Sequence, residues 1–539
     1  MTKIRQKVTA FLLITAVILT GCRDIEYGGF VPAAGTETID PASTAITANT
    51  AAVTDVAENP LLVYKTDRRT YSGKFQFEKL LPDKNAYRAL DGYEADGYIQ
   101  LDLGEEAALS SDLLAVPSAG HYRIGIAVCA KNAVVVLTAN GVEQGAFYAK
   151  GAADFLMFYL DSVYLNAGVN SLVFKTVKGI AYLDYITIND TGAVPEARFS
   201  VSKKTANVNS SLLAKSTFDY LADIYGKKTL LSQSCTIDSM AEINAVYSVT
   251  GRHPAVRRGD LAHYSPGYSG DKSGNKEVEL ALSYAEKGGM VSFTWNWYSP
   301  VTAGNKKSHY LAAKTDFSLN TAFTTEDIAG MTDDQLDTML ELGIISEESR
   351  ALISDMDFLA ETLKIFRDND VVVLWEPLPA AGVKTAWWGK ADTEAYRWLW
   401  KTMMNRYSYY HALDNLIWVW SGEDGDYFPG NNYVDIVGES VYTSTAGSYA
   451  SRFNAALAYD SRIKLTALAE CAVLPDPDVM WRDNAKWLMI NLGRGDYIID
   501  HKGAFSGNAD AALQLTKIYN HEMTLALGEV PELSDYGVE

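Results

Sequence analysis

Apolar and polar positions change their rhythm along the chain. Phe11 to Leu19 forms one short apolar block behind Lys3, Arg5 and Lys7. Residues 23 to 59 keep no apolar period; their Ala, Thr, Gly and Pro (PAAGTETIDPASTAITANTAAVTD) predict a flexible tether. From 60 to 192 come short runs: GYIQLDLG, HYRIGIAVCA, AVVVLTANG, FLMFYLDSVYL, NSLVFKTV and AYLDYITIN. Gly, Asn and Asp turns separate them, so this segment predicts an all-β sandwich. From 205 to 535 eight apolar runs stand at 227–233, 254–260, 290–297, 371–376, 416–422, 434–442, 464–470 and 486–492. Helix-period segments lie between them, such as 283–289, 355–368 and 393–407. The expected architecture is multidomain: a (β/α)8 TIM barrel preceded by the sandwich.

Such barrels carry their chemistry at the C-terminal ends of the strands. The strand tails are Asp260, Trp295-Asn296-Trp297, Glu376, Ser421-Gly422-Glu423, Ser440-Val441-Tyr442, Glu470 and Asn491. Glu376 closes VVVLWE and leads into a turn ending in Trp387 and Trp388. Glu470 closes KLTALAE, and a carboxylate after such a run is costly to bury alone, which places it at the barrel mouth. Glycoside hydrolysis uses two carboxylates, one protonating the leaving oxygen and one attacking the sugar or activating water. Two acids among aromatic residues fit that chemistry.

Composition narrows the class. The 539 residues carry a formal charge of -20, which excludes neutralisation of a nucleic-acid backbone. The 32 Tyr and 11 Trp suit a sugar ligand as well as an ordinary core. Cys129, Cys235 and Cys471 are too scattered for a metal or disulfide framework and read as buried thiols. No metal, phosphate-loop or serine-hydrolase motif is present, so no cofactor is expected. Calcium in the sandwich would draw on its acidic loops, although no spacing marks a site.

The leader ends in Leu19-Thr20-Gly21-Cys22, which resembles a bacterial lipoprotein signal. That resemblance implies removal of residues 1–22 up to a lipidated Cys22, a membrane anchor. Asp24 and Glu26 resemble the export signal of surface lipoproteins of Bacteroidetes, which implies the outer membrane and the cell surface. The segment 60–192 resembles carbohydrate-binding modules of family 35. Tyr93-Glu94, Gly97-Tyr98, Gly120-His121-Tyr122, Leu165 to Asn170 and Leu183-Asp184-Tyr185-Ile186 carry the likeness.

The segment 205–535 resembles glycoside hydrolase family 26, mainly β-mannanases. The carriers are GRHPAVRRGD, EKGGMVSFTWNWYSP, EPLPAAGVKTAWWG, LDNLIWVWSGEDGDYFPGNNYVDIVGESVY and LAECAVLPDPD. The resemblance implies a retaining mechanism with one Glu after the fourth strand as acid/base and one after the seventh as nucleophile. Glu470 matches the nucleophile, and Tyr442 matches the Tyr that contacts it. The family's Arg-Pro-Leu-His-Glu stretch falls on Glu376 to Ala380, so alanine stands where the acid/base belongs and Glu376 stands where an Arg belongs. Asn296 replaces a His, Ser440 an Asp and Asn491 a sugar-stacking Trp. Three readings follow, the last a structural surface protein with no ligand, which predicts a filled cleft and buried tryptophans. In the first, the chain is a surface protein that binds a β-mannan-type glycan through Trp295, Asn296, Trp297, Trp387, Trp388 and Tyr442. In the second, it is an active endo-β-1,4-mannanase with Glu470 as nucleophile and a displaced acid, Glu376, Glu423 or Glu439. On an extended strand, Glu376 would lie roughly 13 Å from position 380.

Overall fold

The computed structural model describes residues 72–537 apart from 82–83, 85, 89, 152, 192–193, 273, 460–463 and 535. The leader, Cys22 and the tether at 23–59 lie outside the described residues. Nine strands come first: β1 (Ser72–Gln76), β2 (Ile99–Leu101), β3 (Glu106–Val116), β4 (Gly120–Cys129), β5 (Asn132–Ala139), β6 (Val142–Lys150), β7 (Leu156–Leu165), β8 (Gly168–Lys178) and β9 (Ala181–Asp190). One antiparallel sheet runs β1-β9-β4-β7 with β2 also on β9, and the other runs β3-β8-β5-β6. Ile124, Ile126, Ile186 and Ile188 of the first sheet share one apolar cluster with Leu109, Val135, Phe147 and Phe174 of the second. Strands β1, β3 and β6 were not among the sequence expectations. Asn170 explains one of the motif residues: it is bonded to the backbone N–H and C=O of Asn166 and to the C=O of Gly168, and so fixes the β7–β8 turn.

All eight expected barrel strands form: β10 (Thr229–Ser234), β11 (Val256–Asp260), β12 (Met290–Trp295), β13 (Val373–Pro377), β14 (Leu416–Trp420), β15 (Ile436–Val441), β16 (Leu465–Cys471) and β17 (Met489–Leu492). They pair in parallel in chain order, and β10 closes the ring on both β17 and β11. A short β18 (Thr524–Leu525) pairs in parallel with the first two residues of β10. Runs such as LIWVW are buried at every position, because a closed parallel barrel covers both faces of each strand. The helix expected at 283–289 spans Glu277–Ala285 instead; Gly288 turns the chain with a positive φ just beyond it. Cys129, Cys235 and Cys471 are free and buried, as expected.

Strand β11 carries two neighbouring arginines whose side chains leave on opposite faces. Arg257 meets Glu277 at 2.7 Å outside the strands, with both side chains fully buried. Arg258 points into the barrel.

The sheet pair is packed against the barrel. The helix Ala450–Ala458 lies on β6 and β7. His121 Nε2 stands 3.0 Å from Asp483, and the Arg482 guanidinium lies 3.6 Å over the Tyr164 ring. The Glu143 N–H donates to Thr445 Oγ1 (2.9 Å), and Asn454 Nδ2 to Ser162 Oγ (2.6 Å).

The Arg257–Glu277 pair sets one stability expectation. Glu277→Ala leaves a buried guanidinium without its counter-charge and should cost about 3–5 kcal/mol. Denaturant unfolding measures it; a loss under about 1 kcal/mol would contradict a buried ion pair.

Candidate active site at the C-terminal mouth of the barrel

Strand tails converge on a cavity of about 190 Å³ lined by Ser234, Arg258, Asp260, Asn296, Glu376, Ala380, Ser440, Tyr442, Glu470 and Arg494, among others. That is below the range of about 300–1,000 Å³ usual for small-molecule pockets, room for about one sugar ring. Three carboxylates face it, and two are saturated. Glu376 accepts from Arg258 Nε (2.9 Å), Arg258 Nη2 (3.0 Å) and Ser421 Oγ (2.6 Å). Asp260 accepts from the N–H groups of Ala262 and Asn296, from Asn296 Nδ2 (2.7 Å) and from Arg494 Nη1 (3.3 Å). Glu470 accepts from Tyr442 OH at one oxygen (2.7 Å) and from Arg258 Nη1 at the other (3.0 Å). Its side chain is 22 % exposed against 2 % for Glu376 and 3 % for Asp260, so Glu470 is the acid a ligand can reach.

Arg258 thus bridges two carboxylates, and their charges hold its guanidinium protonated against the cost of burial. Beneath it, Ser234 Oγ accepts from Arg258 Nη1 (2.9 Å) and Asn491 Nδ2 (2.7 Å). Asn491 also donates to the Ala469 C=O and accepts from Ser232 Oγ. It is fully buried, a strut under the site rather than a surface for sugar.

The loop after β13 departs from the extended path assumed from sequence. Leu378 and Ala380 both take left-handed conformations, with φ of 54° and 53°. The Ala380 N–H donates to the Ser421 C=O (2.9 Å), and the Gly382 N–H to the Gly422 C=O (2.8 Å). Glu376 and Ala380 therefore line the same cavity, and the spacing of roughly 13 Å for an extended strand does not apply. Position 380 offers only a methyl group.

The four tryptophans expected to bind sugar are buried. Trp295 and Trp297 are fully covered and stack at 4.0 Å; Trp387 and Trp388 are 2 % and 1 % exposed. Their indole N–H groups are bonded inward, to Ser265 Oγ, Asp355, the Trp297 C=O and the Pro379 C=O respectively. They belong to one apolar cluster with Leu359, Leu363, Trp400 and Trp418, and Phe317 and Trp375 meet Trp387 and Trp295 directly. Of the expected binding residues, Asn296 and Tyr442 reach the cavity, and Tyr442 is 40 % exposed. Sequence reasoning passed over Arg258, Asp260's partner Arg494, and Tyr497, whose ring lies 6.1 Å from that of Tyr442.

Comparison with known proteins agrees with this architecture. The family model described as Glycosyl hydrolase family 26 matches residues 206–529. The chain belongs to glycosyl hydrolase family 26. A mannan endo-1,4-β-mannosidase of Thermothelomyces thermophilus is 27 % identical over 481 residues, 87 % of this chain and 92 % of that protein. The crystal structure of a Podospora anserina GH26-CBM35 β-(1,4)-mannanase superposes with a TM-score of 0.55 at 24 % identity, covering 86 % of this chain and 99 % of that one. A β-mannanase from a symbiotic protist of the termite Reticulitermes speratus, solved with a gluco-manno-oligosaccharide, gives 0.52 at 22 % identity and covers 62 % and 98 %.

The other displaced acids lie behind the family 26 site. Glu423 and Glu439 are buried and do not line the cavity. Burial pushes the Glu423 carboxyl up to about 7 and the Glu439 carboxyl up to about 8, each only partly offset by Arg452. Asp355, bonded to the Trp297 indole, is likewise pushed up to about 7 by burial.

Among the described residues no group of three or more His, Cys, Asp or Glu could hold a metal. One set of oxygens nevertheless suits a hard cation. Gln76 Oε1, both Glu78 oxygens and Asp184 Oδ1 are buried without a hydrogen-bond partner. The β1–β9 pairing sets Gln76 opposite Tyr185, and Asp184 is close enough to Glu78 to feel its charge. Oxygen donors of this kind suit calcium. Millimolar calcium should raise the melting temperature of the wild type by a few degrees, and Asp184→Asn should abolish the rise; equal melting curves for both proteins would exclude a cation there.

Proposed function

We propose that this family 26 chain is a surface lipoprotein that binds a β-mannan-type glycan at the mouth of its barrel without cleaving it. The observation that carries the reading is Ala380. It occupies the position where the family pattern has its acid/base, and neither neighbouring carboxylate can act in its place. Glu376 is held at both oxygens by Arg258, and Asp260 by Asn296 and Arg494. With their oxygens taken up by these donors, neither side chain is turned toward a ligand in the cavity. The names of the relatives supply the glycan class. The two N-terminal sheets are read as a β-sandwich of the carbohydrate-binding-module type, and the Podospora enzyme of that composition aligns across both parts of the chain. A lipid on Cys22 would hold the whole at the outer membrane.

A second reading has one observation in its favour. Burial pushes the Glu423 carboxyl up to about 7, within the range a general acid works in at neutral pH, and it faces Ser440 beside Glu470. In that reading the chain is a retaining endo-β-1,4-mannanase with Glu470 as nucleophile.

Soluble glucomannan and galactomannan separate the two. Calorimetry should show binding, and no new reducing ends should form. Reducing ends that vanish in Glu470→Ala would establish the enzyme instead. Ala380→Glu should then raise reducing-end release by about 10²- to 10⁴-fold over the wild type; a gain below about tenfold would argue that the lost proton donor is not what silences the site. For the anchor, labelled fatty acid should enter the wild type and not Cys22→Ala, and equal labelling would end that part of the reading.

A further inference from the structure

The buried tryptophans raise the question of what surface could hold a glycan longer than the one ring the cavity admits. Partly exposed aromatic rings stand on the loops after β11 and β12. His263 stacks flat on Tyr268 (4.1 Å, 14°), and Tyr268 meets Tyr298 edge to face (5.1 Å). Tyr298 contacts His309 (5.0 Å) and Tyr310 (5.9 Å), and His309 lies against Tyr310 (4.6 Å). The five rings form an unbroken series, each partly exposed. The series begins at the cavity: Tyr298 is two residues beyond Asn296 and close enough to feel the Asp260 charge, and Tyr310 is similarly coupled to Arg494. Tyr442 on the cavity wall and Tyr497 beside it, 6.1 Å between rings, are 40 % and 39 % exposed.

The buried tryptophans hold this series in place. Ser265 Oγ accepts from the Trp295 indole (2.9 Å) and from the Tyr298 N–H (3.1 Å), tying the two loops together. The Tyr310 C=O accepts from the Trp387 N–H (3.0 Å), and Leu311 bridges Ala386. His309 Nδ1 accepts from the Leu311 N–H (3.0 Å), which fixes that ring behind Tyr310. Rings fixed before the ligand arrives lose little conformational freedom on binding. Tyrosine presents an apolar face and a hydroxyl, which suits the C–H face and hydroxyl edge of a neutral sugar.

We propose that Tyr268, Tyr298 and Tyr310 form an extended binding track for a neutral polysaccharide chain, continuous with the cavity and with Tyr442 and Tyr497 beside it. The inference rests on the glycan-binding reading and adds to it the length of chain recognised. The track takes sugars that lie outside the cavity, so its contribution grows with ligand length, whereas Glu470 and Arg258 act on the ring inside.

The test is calorimetry on the full chain with manno-oligosaccharides from disaccharide to hexasaccharide. Wild-type affinity should rise with length. Tyr298→Ala and Tyr310→Ala should each weaken hexasaccharide binding about tenfold. Disaccharide affinity and melting temperature should stay within twofold and a degree or two of wild type. Tyr298→Phe should keep most of the affinity, since it keeps the ring. Equal losses at every length, or none at the hexasaccharide, would overturn the track while leaving the glycan reading intact. A wild type that binds no oligosaccharide of any length would remove both.

Discussion

The mouth of the barrel depends on the Arg258 guanidinium. It is buried, and a charge in that position is tolerated only with full pairing. Glu376 takes two of its donors and Glu470 and Ser234 share another. Those bonds set the rotamer of each carboxylate, and through Ser234 they extend to Asn491 and the Ala469 backbone next to Glu470. Position 376 is an acid, and the cation that meets it enters from β11, two strands away in the ring. A guanidinium with two carboxylates still leaves one negative charge, and Glu470, held also by Tyr442, is where that charge meets solvent.

Around this network the backbone of the site is fixed by hydrogen bonds of its own. Leu378 and Ala380 hold left-handed conformations that are costly for residues with a Cβ, and they do so because the loop is pinned to the β14 tail at Ser421 and Gly422. Strain of this kind persists where the surroundings over-determine the chain. The loop thus delivers position 380 to the cavity whatever side chain it bears. On the receptor reading proposed above, the side chain at 380 sets the chemistry offered there while the pinned loop keeps its path.

The barrel was legible because eight parallel strands buried on both faces leave eight dense apolar runs, and Glu470 and Tyr442 because each closes such a run inside a specific motif. The rest was hidden for physical reasons. Strand β3, EAALSSDLLAV, mixes polar and apolar residues without a clean period of two, and β6 has a Gly at its centre. Arg257 and Arg258 look alike in sequence; only the register of β11 decides that one pairs outside the barrel and the other inside. Tryptophan in a strand tail reads equally as core or as sugar platform, and helical residues far away in sequence settled it as core. Tyr298 and Tyr310 gave no periodic signal because they lie in loops. The approach of Glu78 to Asp184 arises only when β1 pairs with β9.

The N-terminal sheets are more than a spacer in this arrangement. Several of their contacts fall on the segment after β15, three to nine residues beyond Tyr442: the Glu143 N–H donates to Thr445, the Gln144 C=O accepts from Ser451, and Val142 lies against Gly447. Tyr148 from β6 reaches Arg452, the cation that faces Glu439 and Glu423 behind the cavity. Removing the sheets would admit water to that buried group of charges and free the loop that carries Tyr442. A tyrosine that orients Glu470 and stands at the cavity from which the aromatic track leads needs a rigid loop. The sheet pair therefore shapes the binding surface through packing, independently of any sugar it holds itself.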